Sequence, residues 1–157
     1  MKKLFLLALV ALISVGATCA TLETKTGYVR NNSTDENGLA YVLTYLVSVY
    51  DNKDAFVKYL GLGLYTDLSL FENGKYNFVA APIVKMTTKL IYVKGGLGWD
   101  YNKVNGVSDN SYAVISGAGF TLPLSDKADI ALDWTFKYNL NNSTYTNIVG
   151  PVFAIKL

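Results

Sequence analysis

Ala128-Asp129-Ile130-Ala131-Leu132-Asp133-Trp134-Thr135-Phe136-Lys137-Tyr138-Asn139 alternates in character from end to end. Successive side chains of a β-strand point to opposite faces. One face therefore carries Ala128, Ile130, Leu132, Trp134, Phe136 and Tyr138, and the other Asp129, Ala131, Asp133, Thr135, Lys137 and Asn139. A strand of a soluble apolar core would not hold Asp133 and Lys137 opposite Trp134 and Phe136, because unpaired polar groups are costly away from water. The pattern asks for an oily medium on one side and a polar interior on the other.

The same period recurs along the chain. From Leu39 to Tyr50 the odd positions Leu39, Tyr41, Leu43, Tyr45, Val47 and Val49 are apolar or aromatic, while the even set includes Ala40, Thr44 and Ser48. Eight such segments are expected, over 21–30, 39–50, 55–66, 76–86, 89–101, 111–123, 128–139 and 145–157. Each is long enough to cross a bilayer as a tilted strand, which takes about 9–11 residues. Polar connections at 31–37, 67–75, 102–110 and 140–144 alternate with tight ones at 51–54, 87–88 and 124–127. Long loops on one side and short turns on the other predict an up-and-down barrel with both chain ends on the short-turn side. In lipid every backbone donor and acceptor must be paired, so only closure of the sheet is allowed. The expected fold is all-β, an eight-stranded antiparallel up-and-down transmembrane β-barrel. Pro82 and Pro151 fall inside segments, where each removes a ladder donor and predicts a bulge or a shorter strand.

The first residues have a different character. Met1-Lys2-Lys3 is followed by the apolar run Leu4-Phe5-Leu6-Leu7-Ala8-Leu9-Val10-Ala11-Leu12-Ile13 and then by small residues. That is the form of an export leader over residues 1–20, cut near 17–20, ahead of a barrel domain over 21–157. Cys19 sits where a lipoprotein cysteine would, but Thr18 fits poorly directly before such a cut. The chain of 157 residues carries a formal charge of +2, and removal of Lys2 and Lys3 leaves 12 basic residues (14 minus 2) against 12 acidic ones. With 51% hydrophobic and 17% charged residues, a disordered or nucleic-acid-coating chain is excluded.

The alternation places Tyr59, Tyr65, Lys85, Tyr92, Lys94, Asp100, Asp129, Asp133, Lys137 and Lys156 in a charged and polar interior. An eight-stranded barrel is only wide enough for side chains to fill it, so a polar plug is favoured over an ion pathway. Tyr28, Tyr41, Trp99, Tyr101, Tyr112, Trp134, Phe136, Tyr138 and Phe153 are expected on the outside, where aromatic rings gather at the membrane–water interfaces. Histidine is absent, which removes the usual general base beside a serine or carboxylate nucleophile, so no catalytic residue is expected. No cofactor site is expected either. Nitrogen and sulfur metal sites lack ligands, leaving only weak all-oxygen possibilities such as Asp35-Glu36. Asn-Asn-Ser-Thr occurs twice, starting at Asn31 and at Asn141. Closure would set the two copies side by side as well-solvated polar loops.

Tyr92-Val93-Lys94-Gly95-Gly96-Leu97-Gly98-Trp99-Asp100-Tyr101, Gly117-Ala118-Gly119-Phe120-Thr121-Leu122-Pro123-Leu124-Ser125-Asp126-Lys127 and the alternating end over 149–157 resemble the small outer-membrane β-barrels that include OmpX and the transmembrane domain of OmpA. Members of that family usually finish on an aromatic residue, whereas this chain finishes on Leu157. The resemblance implies the outer membrane of a Gram-negative-type bacterium as location, outer-membrane lipid as surroundings and the insertion machinery as a partner during biogenesis. The expected role of the monomer is structural, in membrane integrity, or one of adhesion or host contact through surface loops, without nucleic acid. A narrow pore for ions or small solutes and a soluble lipocalin-like carrier are the alternatives.

Overall fold

The computed structural model describes residues 20–157 apart from 53 and 105. The expected leader, its cut and Cys19 lie outside the described residues, save Ala20 at the end of that segment. Eight strands follow one another: β1 (Ala20–Asn31), β2 (Glu36–Asp51), β3 (Tyr59–Phe71), β4 (Tyr76–Thr87), β5 (Ile91–Val104), β6 (Val107–Pro123), β7 (Ala128–Asn139) and β8 (Tyr145–Lys156). Each pairs antiparallel with its neighbours in sequence, and β1 pairs with β8 from Thr21↔Lys156 to Asn31↔Thr146, closing the barrel. Both described chain ends lie at the mouth that carries the β2–β3, β4–β5 and β6–β7 turns.

Alternation decides which side chains meet which medium. The outer face exposes large apolar groups on every strand after β1, among them Leu43, Leu68, Val84, Leu97, Phe120 and Leu132, the last 61% exposed. Inward positions on the same strands are buried, and many are polar or charged. This inverts a soluble protein, in which a large contiguous apolar surface is avoided.

The connections differ from expectation. Residues 67–71 continue β3, so Asp67 and Ser69 are strand residues, and most of 102–110 belongs to β5 and β6, which pair as far as Val104↔Val107. At the end away from the described chain ends, the links are reduced to residues 32–35, 72–75, 105–106 and 140–144, whereas the longest link, 52–58, is on the other side. The contrast of long loops with short turns is therefore absent. Its physical cause is that a strand leaving the bilayer no longer needs an apolar outer face, so its sequence turns polar on both sides while its backbone stays paired.

The prolines also behave differently. No bulge forms at Pro82 or Pro151, and neither strand is shortened. Ladder pairing is interrupted between Ala80↔Trp99 and Ile83↔Gly96, and again between Lys25↔Val152 and Tyr28↔Val149, and it resumes in the same register. Glycines stand at the second interruption: a Cβ on Gly150 would lie 2.5 Å from the backbone oxygen of Thr26. The missing donor is thus accommodated by close backbone approach. The register shift that does occur lies in β2, between Ser48 and Tyr50.

Candidate functional site

The interior is the candidate site, and it is built in layers. Among the described residues its buried charged groups are Lys25, Lys85, Lys94 and Lys137 against Glu23, Asp67, Asp100 and Asp133, four of each sign. Asp133, fully buried on β7, is the central node. Lys25 of β1 donates to it at 2.5 Å, and Lys94 of β5 lies 2.9 Å from its other oxygen. The Tyr92 hydroxyl donates to Asp133 at 2.6 Å, as does the Thr135 hydroxyl at 2.6 Å. Lys25 also donates to the backbone oxygen of Ile148 at 3.0 Å. Four strands therefore converge on one carboxylate: β1, β5 and β8 join through Lys25, Lys94 and Ile148, while β7 itself supplies the acceptor.

Toward the mouth away from the chain ends, Lys137 bridges β7 to β3 and β4. It donates to Asp67 at 2.7 Å and to Asn77 Oδ1 at 2.7 Å. Asp100 closes this layer by accepting from the side-chain amides of Asn77, Asn102 and Asn139, the last at 2.8 Å. On the opposite side of Asp133, Lys85 pairs with Glu23 across the barrel and sits 3.8 Å above the centre of the Tyr92 ring. Such a cation over an aromatic face gains further electrostatic attraction.

Glycine makes room for these side chains in the narrow lumen. The Lys94 stem lies against Gly117, where a Cβ would come within 2.8 Å of Lys94 Cε. Tyr92 lies on Gly119 in the same way.

Tyr65, Lys85, Tyr92, Lys94, Asp100, Asp133 and Lys137, all expected in the interior, are buried there. Tyr59 is half-buried and packs against the core. Asp129 and Lys156 lie apart from that network, at the chain-end mouth, paired with each other at 3.2 Å. Glu23, Lys25, Asp67 and Asn77 were not anticipated, whereas Asn139 is buried on the polar face that the alternation of β7 gives it. A usable signal existed over residues 22–28 of β1, where the charges Glu23 and Lys25 fall on odd positions while Leu22, Thr24, Thr26 and Tyr28 are neutral.

The aromatics named for the outer face point outward, with Tyr28, Tyr41, Trp99, Tyr112, Trp134 and Phe153 exposed and Tyr101, Phe136 and Tyr138 half-buried. Tyr76, Trp99 and Tyr101 form a run of ring contacts at 6.0 and 5.8 Å. Trp134 stands near the middle of its strand and donates its indole N–H to Asn147 Oδ1 at 2.9 Å, so neither group faces lipid unpaired.

At the far rim the first Asn-Asn-Ser-Thr copy bonds to Tyr145, the residue directly after the second. The backbone N–H of Tyr145 donates to Ser33 Oγ at 3.2 Å, and that of Asn32 to the Tyr145 oxygen at 3.0 Å. Their asparagines are occupied with turn-forming hydrogen bonds, Asn31 accepting from the backbone of Ser33 and Asn142 from that of Thr144. Lys75 and Glu36 pair at the same rim, and the hydrogen bond from Lys75 holds the Glu36 carboxyl below its ordinary range. A depressed pKa contributes stability above the unfolded value that is lost as pH falls through the folded one. Glu36→Gln is therefore expected to cost up to about 1 kcal/mol at neutral pH and nothing in strong acid, as read from urea midpoints at both conditions.

The lumen is not filled along its whole length. At the chain-end mouth a cavity of about 570 Å³ reaches inward to Glu23, Lys85 and Tyr92. At the other mouth a pit of about 30 Å³ lies beside Lys137 and Asp100.

No protein-family model matches the chain, and no curated protein matches it. Solved structures do. Neisserial surface protein A superposes with a TM-score of 0.63 at 11% identity, over 88% of this chain and 97% of that one. The N-terminal β-barrel domain of Pseudomonas aeruginosa OprF gives 0.59 at 14% identity, over 87% and 97%. The outer-membrane enzyme PagL gives 0.56 at 12% identity, over 86% and 99%. The fold is that of the small outer-membrane β-barrels, and within it both surface proteins and an enzyme occur.

Proposed function

We propose that the chain is a monomeric outer-membrane barrel, exported by a leader that is removed near residues 17–20, that serves membrane integrity and surface contact without carrying out catalysis. The observation that supports it most is the pairing of an apolar outer coat with a closed, charge-balanced interior centred on Asp133. Outer-membrane lipid surrounds the coat, and the insertion machinery acts on the chain during biogenesis. Surface contact, by adhesion or to a host ligand, falls to the β5–β6 hairpin, which is paired to Val104↔Val107 and rises past the end of the β6–β7 ladder at Ala113↔Asn139. Val107 near its tip is 73% exposed. The absence of histidine from the sequence speaks against a hydrolytic centre, although the fold by itself does not decide that point. The apolar coat speaks against a soluble carrier.

A narrow pore is the second reading, favoured by the cavity at the chain-end mouth. The refolded protein in planar bilayers is expected to give no steady single-channel openings, because three lysines and two carboxylates are paired across the lumen around Asp133 and Asp67. Steady openings whose conductance changes on replacing Lys85, Lys94, Asp133 or Lys137 would establish the pore instead.

A further inference from the structure

The cavity at the chain-end mouth has the volume of a small-molecule site, which typically spans about 300–1,000 Å³. Its walls combine two chemistries. Half-buried Tyr59 gives it an aromatic flank, backed by the buried Leu46, Tyr92 and Val152. Charged groups surround this flank, and most of those that reach deepest or lie along β7 and β8 are already neutralised, Glu23 by Lys85 and Asp129 by Lys156. Asp51, Lys58, Lys89 and Asp126 also line the cavity and make no ion pair among the described residues.

The topology separates these remaining charges by sign. Lys58 ends the β2–β3 connection and Lys89 lies in the β4–β5 turn, next to each other around the rim, where Lys58 N–H donates to the backbone oxygen of Thr87 at 2.8 Å. Asp126 lies in the β6–β7 turn, which in a closed ring of eight strands stands diametrically across from the β2–β3 connection. Asp51 sits on the lysine side and offsets part of one cation there. The mouth thus presents a net positive side, with Tyr59 beside Lys58, and across from it a negative side.

We infer that this vestibule is a binding site for a zwitterionic, apolar-bodied solute, an amino acid or short peptide whose carboxylate meets Lys58 and Lys89, whose ammonium meets Asp126, and whose side chains lie on Tyr59. A plain anion or cation would find its charge opposed on one side of the mouth, and an uncharged apolar molecule would leave the rim charges unanswered. The site opens on the side of the described chain ends, away from the β5–β6 hairpin, so it is separate from the surface role.

The test is amide NMR of the refolded full chain in detergent micelles, titrated with the dipeptide Leu-Leu. Saturable shifts are expected in residues 52–58, 88–90 and 124–127, and Leu-Leu blocked by acetylation and amidation is expected to bind at least about fivefold more weakly. Asp126→Asn should weaken Leu-Leu while leaving N-acetyl-Leu-Leu, which lacks the ammonium, unaffected, and Lys89→Gln should weaken both. These turn positions are exposed, so unchanged heat-dependent gel mobility of the variants confirms that they still fold. Absence of saturable shifts, equal binding of the blocked peptide, or an Asp126→Asn variant that binds Leu-Leu like the parent would each overturn the assignment.

Discussion

Asp133→Asn is expected to cost about 3–5 kcal/mol of folding stability in lipid vesicles, the largest effect of any single interior change. The carboxylate accepts hydrogen bonds from Lys25, Lys94, Tyr92 and Thr135 and is itself fully buried. An amide in its place leaves two ammonium groups facing each other in the lumen without a counter-charge. The loss comes from stranding those charges, so the cost is a property of the broken set and not of the bond alone. Removing all three together, as Asp133→Leu with Lys25→Met and Lys94→Met, is therefore expected to recover most of the stability, since replacing a whole buried ionic group by apolar side chains is often neutral or better. Urea-dependent folding followed by gel mobility distinguishes the two cases. A triple variant as unstable as the single one would mean that the layer holds the barrel by charge and not merely by filling it.

Leu132→Arg probes the other face of the same strand one residue away. Leu132 is 61% exposed and lies toward the middle of β7, between Phe120 and Pro151 on the neighbouring strands. If that surface meets hydrocarbon, a guanidinium there costs about 2–4 kcal/mol, as charged residues do at the midplane of a barrel. Val107→Arg, the same charge placed at the tip of the β5–β6 hairpin, should change stability by less than about 0.5 kcal/mol. Were the outer face in water, both substitutions would be equally mild. The comparison thus reads the depth of the apolar band from one chemistry at two heights.

How much of this was legible in the sequence depends on where each strand stands relative to that band. In β7 charges occupy one face and rings the other, so the residues alone give its span and its inward set. In β1 the outer positions Thr24 and Thr26 are small and polar, the contrast between faces is weak, and Lys25 and Glu23 passed unremarked although they hold the central and lower layers. Asp67 was hidden for another reason. It opens a stretch that turns polar toward Glu72, and composition read as a loop what the alternation Asp67-Leu68-Ser69-Leu70 continues as a strand. Above the membrane, water asks nothing of the outer face, so period two fades while backbone pairing persists. The lengths of the hairpins could therefore not be taken from polarity. Nor could the cavity at the chain-end mouth be foreseen, because the volume left between side chains depends on which rings fold over which glycines.

Both tryptophans of the chain, Trp99 and Trp134, stand on the outer face. Fluorescence of the protein folded into vesicles of lipids brominated along their acyl chains reads directly what that face touches. Strong quenching relative to unbrominated vesicles, lost when the protein is unfolded in urea, is the predicted result. Unquenched fluorescence from folded protein, with the chain recovered in the aqueous phase, would contradict a membrane-spanning barrel.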